Sequence, residues 1–382
     1  MKRRAKRVRG KALVIIPTFN SYALTHKHLE LLEKQQGGNF DVIVIDSGSS
    51  EDHLKLKGER HGFGLFILHF DEDLGGSGST YEGVKYAMEH GYSYAILSDS
   101  DAFPVSKNLI NGLTEAAGPD TATFPTNLFK RYCKGSWTDS EESRWAPWHY
   151  LTLSRETIGR AGYPRRDLFI YNDDIEYSLR IRSSTRILQM NNLYYEHRNS
   201  TLSNYFLKGL SAKASYYTIR NRILCSPGLK GRITPIGNCF FRMLIAFYSL
   251  PLGTAMRYSF VLFRAVADGV SGRSGRAEIP KIEPLITITG SNGRMRGAYL
   301  TYPERDSVMD RKKAARLGWR QMDISGGVTT AALLRILIGG GSVIVNDLLG
   351  NQRITTRLSP FLFLGRLYLL NEKGLFRVTS GR

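Results

Sequence analysis

The chain has 382 residues, 42% hydrophobic and 23% charged, with 38 glycines and only 13 prolines, which excludes disordered, collagen-like and mucin-like classes and leaves room for two or three structural units. Its three cysteines, Cys133, Cys225 and Cys239, contain no CxxC pair and leave one unpaired in any disulfide scheme, which excludes zinc-finger and disulfide-scaffold classes and suits a reducing compartment. The net charge of +19 is uneven: residues 1–11 hold seven basic side chains and no acid, residues 12–200 hold 19 against 25, residues 201–277 hold eleven against the single Asp268, and residues 278–382 hold sixteen against eight.

After the basic arm the first apolar run is only LVIIP (13–17), too short for the core of a secretory leader, so it reads as a strand. ALVII (12–16), DVIVI (41–45), GLFILH (65–70) and SYAIL (93–97) are short, β-branched-rich runs that suit strands buried on both faces. Leu24, Leu31 and Leu32 recur at helical spacing before Gly37-Gly38, and Tyr81, Val84, Ala87 and Met88 do so before Gly91. Strands alternating with helices predict an α/β domain with a mostly parallel, Rossmann-like sheet, whose ligands gather beyond the strand carboxyl ends.

The polar motifs lie at those ends. SYAILSDSDAFP (93–104) ends a strand in Asp99-Ser100-Asp101; two carboxylates one residue apart suit a hard divalent cation, or equally a turn and helix cap. DLFIYNDDIEYSLRIR (167–182) places Asp173 and Asp174 before a helix carrying Ile175 and Leu179. Acids there complement the helix dipole, and a carboxylate there also suits a general base. His197 follows in NLYYEHRNS, and EDLGGSGSTYEG (72–83) opens a helix with glycines that let backbone amides approach phosphate or ribose. That loop fits neither the Walker pattern nor GxGxxG.

From Thr201 onward, aromatic and aliphatic residues interleave with Arg220, Arg222, Arg232, Arg242, Arg257 and Arg264, as in amphipathic helices lying on an anionic surface. The longest uncharged stretch there, Met243 to Met256, is 14 residues and contains Pro251, against roughly 20 needed to span a bilayer. A Gly/Ser/Pro-rich linker, SGRSGRAEIPKIEP (271–284), precedes PLITITG, a helical stretch near Ser307–Leu317, the helical TTAALLRIL and the strand-like SVIVND, which together predict a small second α/β unit. The expected division is a basic arm (1–11), an α/β domain (12–200), a basic amphipathic helical region at a membrane surface (201–277) and an accessory domain (278–382).

Taken in order, VIIPTFN (14–20), VIVIDSGSSED (42–52), the glycine loop, the SDSD, the NDDIEYSLR and the late YEH resemble the inverting family 2 glycosyltransferases, whose catalytic domain has the GT-A fold. The resemblance covers about residues 12–225, including YYTIRNRI (216–223), and FIYNDDIEYSLR followed by YEH is most similar to the bacterial galactofuranosyltransferase and rhamnosyltransferase branch. It implies that Thr18 and Asp46 hold the nucleotide base and ribose. It further implies that Gly75 and Gly76 lie beside the ribose-diphosphate, that Asp99 and Asp101 bind Mn2+ or Mg2+ with His197 as a further ligand, and that Asp99 also serves the donor site. Asp174 would be the catalytic base and Asp173 its acidic neighbour, while Trp148 would stack on the acceptor. Two departures stand out: the family often has an acid where Ser98 or Ser100 stands, and the loop reads GGSGST rather than GGAGGF.

The reaction so implied is an inverting single displacement from a UDP- or dTDP-linked sugar to a lipid-linked glycan in cell-surface polysaccharide and cell wall synthesis. The enzyme would be peripheral on the cytoplasmic face of the membrane. Two other readings are nucleotidyl transfer on a similar sheet, which would release pyrophosphate, and a non-enzymatic nucleic-acid binder, against which the acidic 12–200 segment argues; a nucleic-acid partner is not expected.

Overall fold

The computed structural model describes residues 10–51, 53–58, 61–128, 138–197, 212–226, 228–249, 252–280 and 282, together with the backbone of six short strands between 286 and 380. Most of the basic arm, Cys133, residues 201–211 and the helices expected at Ser307–Leu317 and TTAALLRIL lie outside the described residues.

In the first part of the chain the apolar runs become strands. β1 (Ala12–Thr18), α1 (Tyr22–Leu32), β2 (Phe40–Ser47), β3 (Leu65–Phe70), α2 (Gly75–Glu89) and β4 (Tyr94–Ser98) follow the expected alternation. β5 (Ala102–Pro104), α3 (Leu109–Ala116), β6 (Thr121–Asn127), β7 (Ser140–Glu142), β8 (His149–Ser154), α4 (Arg155–Ala161), α5 (Asp173–Ile181) and β9 (Arg186–His197) complete it. The sheet runs β3-β2-β1-β4-β8-β6-β9-β5, with β7 on β9. The first four strands are parallel, while β8 joins β4 and β6 antiparallel, so the sheet is mixed. The Rossmann-like expectation thus holds for its first half, and the whole is an α/β domain with a mixed sheet.

Strand side chains alternate between faces, and both faces here are covered. Leu13, Ile15, Ile43, Ile45 and Leu97 enter one buried cluster with Val84 and Ala87 of α2; Val14, Ile16, Val42, Val44 and Ile96 enter the other with Leu29 and Leu32 of α1. That is why the strands read as unbroken apolar runs. Gly83 lets α2 press onto β1, since a Cβ there would stand 2.2 Å from Ile15 Cγ2. Two expected faces differ in detail. α1 buries Thr25 and His28 with Leu29 and Leu32 rather than Leu24 and Leu31, and α5 buries Tyr177 and Ile181 while Leu179 is exposed.

The chain divides into two compact units, one of residues 1–198 with 274–276 and the other of the remainder. In the second unit α6 (Ala212–Cys225), α7 (Gly228–Ser249) and α8 (Leu252–Val270) pack together. Arg220 is fully buried, its guanidinium over the rings of Tyr216 and Tyr217. No helix among the described residues is long and apolar enough to cross a membrane. The described strands β10 (Ile286–Gly290), β11 (Gly293–Arg296), β12 (Ser342–Val345), β13 (Ile354–Arg357), β14 (Leu367–Asn371) and β15 (Gly374–Ser380) form an antiparallel sheet in the order β11-β10-β15-β14-β13-β12. There the described residues supply only the β half of the α/β unit expected from the sequence.

Candidate active site

The parallel strands deliver their polar ends to one edge: Thr18 of β1 stands in register with Asp46 of β2, and β4 ends at Ser98. Asp99 and Asp101 follow in the turn that leads into β5, where Ala102 N donates to Asp99 O. β5 pairs antiparallel with the end of β9, placing Ala102 opposite His197, and His197 Nε2 lies 3.1 Å from Asp101 Oδ1. Three of the expected metal-site residues therefore converge through strand pairing, though nearly a hundred residues separate the acids from the histidine.

A fourth member was not among the residues singled out from the sequence. The register between β4 and β8 slips at Leu97/Ser98, so that Ser98 faces His149 and Leu97 faces Leu151. The residue skipped, Tyr150, has φ +63 and buries its hydroxyl against Ala102 O and His28. Such a bulge re-aims the neighbouring side chain. His149 Nε2 stands 3.2 Å from Asp99 Oδ2, its ring centroid is 4.3 Å from that of His197, and its Nδ1 lies 2.8 Å from Tyr195 Oη. One ligand atom from each of Asp99, His149 and His197 falls within 4.8 Å of the others. Burial and the neighbouring His197 hold the His149 imidazole below its ordinary pKa, which favours the neutral form that binds metals. Two imidazoles and an Asp99 carboxylate that is 45% exposed fit a divalent cation open to a ligand from solvent.

The second cluster forms where α5 begins. Phe169 (φ +67, ψ −61), Tyr171 (φ +67) and Asn172 (φ +60) all adopt positive φ, and Ile170 N donates to Leu168 O across a γ-turn. Such residues cost about 1–3 kcal/mol each and persist only where their surroundings hold them. The glycine loop supplies that hold. Phe169 O accepts from Ser77 N and would lie 2.1 Å from a Cβ at Gly75, whose φ is +68. Ser77 Oγ donates to Asp173 Oδ2 at 2.6 Å. The loop is tied in turn to the end of β2, where Leu74 N donates to Ser47 Oγ. A Cβ at Gly76, by contrast, would meet open space, so backbone there remains approachable by a ligand.

Asp173 is 8% exposed and Asp174 partly so. Burial raises both carboxyls, Asp173 to about 6 and Asp174 to about 8, with Asp173 adding to the rise at Asp174 and Asp99 contributing to both. The influence of Asp99 puts the cation cluster and the acid pair in one electrostatic neighbourhood. Backbone amides of Asp174 and Ile175 at the helix start donate to the pair and oppose the rise.

Thr18 and Asp46 are buried beside this edge. Thr18 Oγ1 contacts Thr25 Oγ1 and His53 Nε2, and Asp46 Oδ2 lies 2.8 Å from His69 Nδ1. Asp46 Oδ1 is buried without a hydrogen bond, 3.4 Å from His53 Nδ1. Trp148, expected at the acceptor, is only 6% exposed and packs in the core with Leu151 and Tyr177, so its ring presents no open face to a sugar. The resemblance implied stacking at this position; the residue stands at the head of a buried strand, where the core takes it. Trp145, three residues earlier, is 46% exposed.

Residues 13–176 match the family described as Glycosyl transferase family 2. No curated protein matches. Among solved structures, the mannosyltransferase PcManGT from Pyrobaculum calidifontis, determined with GDP-Man and Mn2+, is similar at 16% identity and a TM-score of 0.44, over 69% of this chain and 76% of that one. Residues 1–349 of S. aureus TarS with UDP-GlcNAc are similar at 14% identity and a TM-score of 0.40, over 68% and 81%.

Proposed function

We propose, on the premise that residues 13–176 are a family 2 glycosyltransferase domain and the chain a nucleotide-sugar-dependent glycosyltransferase, that it moves a sugar with inversion onto a hydroxyl of a lipid-linked glycan at an anionic membrane surface. The observations that carry this reading are the Asp99, His149 and His197 cluster and the Asp173–Asp174 pair, whose raised carboxyls feel the Asp99 charge and which is bonded through Ser77 to a glycine loop whose Gly76 side is open. Thr18 and Asp46 serve the base and ribose, and Gly75 and Gly76 the ribose-diphosphate. Asp99, Asp101 and His197 hold Mn2+ or Mg2+, which when bound offsets charge on the departing diphosphate. Asp174 takes the proton from the acceptor hydroxyl as that oxygen attacks; a carboxyl raised toward neutrality suits this work. Asp173, bonded to Ser77, keeps the base and the glycine loop in step. Trp145 replaces Trp148 as the ring offered to the acceptor.

Galactofuranose or rhamnose, carried on UDP or dTDP, is the favoured sugar, supported by the pairing of FIYNDDIEYSLR with YEH. Cell-surface polysaccharide synthesis is the corresponding pathway class. Residues 12–200 act as the catalytic domain, 201–277 as the membrane-facing region and 278–382 as an accessory domain. Support for the membrane comes from α7 and α8. Phe240, Leu244 and Phe247 on one helix, and Met256, Phe260 and Phe263 on the other, are exposed at helical spacing, with Phe240 and Phe263 in ring contact. Arg232, Arg242, Arg257 and Arg264 are interleaved with them in the same two helices, and the single acid of 201–277, Asp268, is buried. An apolar row with cationic flanks lies in a bilayer interface without spanning it, here as a peripheral protein on the cytoplasmic face.

The test is a panel of sugar nucleotides incubated with the full chain, divalent metal and membrane extract, read by release of free nucleoside diphosphate. Release of UDP or dTDP that stops in excess EDTA is expected. Pyrophosphate as the product would replace this reading with nucleotidyl transfer, and full activity in EDTA would return the SDSD segment to a simple turn.

A further inference from the structure

Resting on the metal-dependent reading above, we infer that His149 is a direct ligand of the cation, making with His197 and Asp99 a site of two imidazoles and a carboxylate that selects first-row transition ions over Mg2+. Two observations beyond proximity support this. First, His149 reaches the cluster only through the β8 bulge, whose skipped residue, Tyr150, takes a positive φ and is locked by hydroxyl bonds to Ala102 O and His28. A strand in regular register would carry 149 without that distortion, and local strain of this kind clusters where a side chain must be aimed. Second, the His149 ring is held from behind. Tyr195 Oη occupies Nδ1 at 2.8 Å, so Nε2 is the nitrogen turned toward Asp99. Ligating histidines characteristically have their second nitrogen held in this way.

The donor set then decides the metal. Mg2+ demands oxygen ligands and gives up its water reluctantly. Exchanging two oxygen positions for imidazole nitrogens from His149 and His197 penalises it, while transition ions gain in the usual order of increasing nitrogen affinity. Asp101, 3.1 Å from His197 Nε2, either turns to the cation or stays on that ring; the nitrogen count is the same in both cases.

Mn2+ alone is the probe, added to the full chain without sugar nucleotide. Pulsed EPR on the wild-type protein is expected to resolve coupling to two imidazole nitrogens. His149→Gln is expected to leave one nitrogen and weaken Mn2+ binding about 10- to 100-fold, while Mg2+ competition changes by less than about threefold. Coupling to a single nitrogen in the wild type, removed by His197→Gln and not by His149→Gln, would overturn this inference and leave the metal-dependent reading standing. Failure of the wild type to bind Mn2+, together with sugar-nucleotide turnover indifferent to EDTA, would overturn both. Because the nitrogen count is read on unaltered protein, a misfolded His149 variant does not obscure the answer.

Discussion

Asp173 in α5 and Asp268 in α8 are almost equally buried, at 8% and 5%, yet their surroundings are opposite. Asp268 accepts from Tyr216 Oη at 2.5 Å and pairs with Arg264 and Arg273 at 3.4 and 3.5 Å. Asp173 has a serine hydroxyl and a backbone amide, and beside it the further negative charges of Asp174 and Asp99. A carboxylate buried for packing is neutralised by its own chain, since an uncompensated one is costly. Acids buried together without a basic partner indicate positive charge or a proton supplied from outside. The contrast accords with the proposal that the first unit does the chemistry while the helices of the second, with their arginines and apolar row, face a membrane surface.

The largest effect should come from removing the base. Asp174→Asn is expected to lower turnover about 10²–10⁴-fold, the range for loss of general-base catalysis, while donor affinity measured by calorimetry stays within about threefold. Retention of more than about a tenth of wild-type turnover would break the comparison at its centre. Next in size is the surface carried by the helical region. Leu244→Glu or Phe260→Glu should reduce flotation with anionic vesicles about 10- to 100-fold, since burying one such side chain contributes about 1.5–3 kcal/mol. Equal flotation with neutral vesicles would remove the arginines from the account.

The smallest effect sharpens the comparison most, because the two acids should respond with opposite sign. The raised carboxyls of Asp173 and Asp174 contribute stability that is fully present below the unfolded carboxyl value of about 4. It is lost as pH rises through about 6 and 8. Metal-free wild type should therefore melt lower at pH 8 than at pH 5. Asp174→Asn should flatten that slope and raise the melting temperature at pH 8. Asp268→Asn should instead lower stability by about 1–2 kcal/mol at either pH, discounted for the exposure of its arginines. Scanning calorimetry of the three proteins with EDTA decides it: a common sign for both variants would mean that Asp174 is a structural acid like Asp268.

Much of this was legible in the chain itself. β1 to β4 were readable because burial on both faces turns a strand into an unbroken apolar run, Asp99 and Asp101 because acids directly after such a run fall at the sheet edge, and Asp173 and Asp174 because paired acids mark a helix start. His149 was not readable. It follows Trp148 at the head of an apolar strand, and only a one-residue slip against β4 turns it toward Asp99. Nor was the backbone of 169–172, where aromatic residues and an asparagine occupy conformations that their types do not announce. The surroundings of Trp148 were not legible either: the resemblance implied a ring at the acceptor, and the fold packs it in the core at 6% exposure.

The close approach of the Phe169 carbonyl to Gly75, where an added Cβ would stand 2.1 Å from the oxygen, bears on how such a domain can be re-engineered. Residues 72–79 and 166–176 are interlocked at Gly75, Ser77 and Asp173, so they form one exchangeable cassette although about ninety residues of chain separate them. A glycine loop grafted without its matching turn would set a side chain against that carbonyl or leave Asp173 without its serine. Libraries that vary the two segments jointly will sample working combinations that libraries confined to either one exclude.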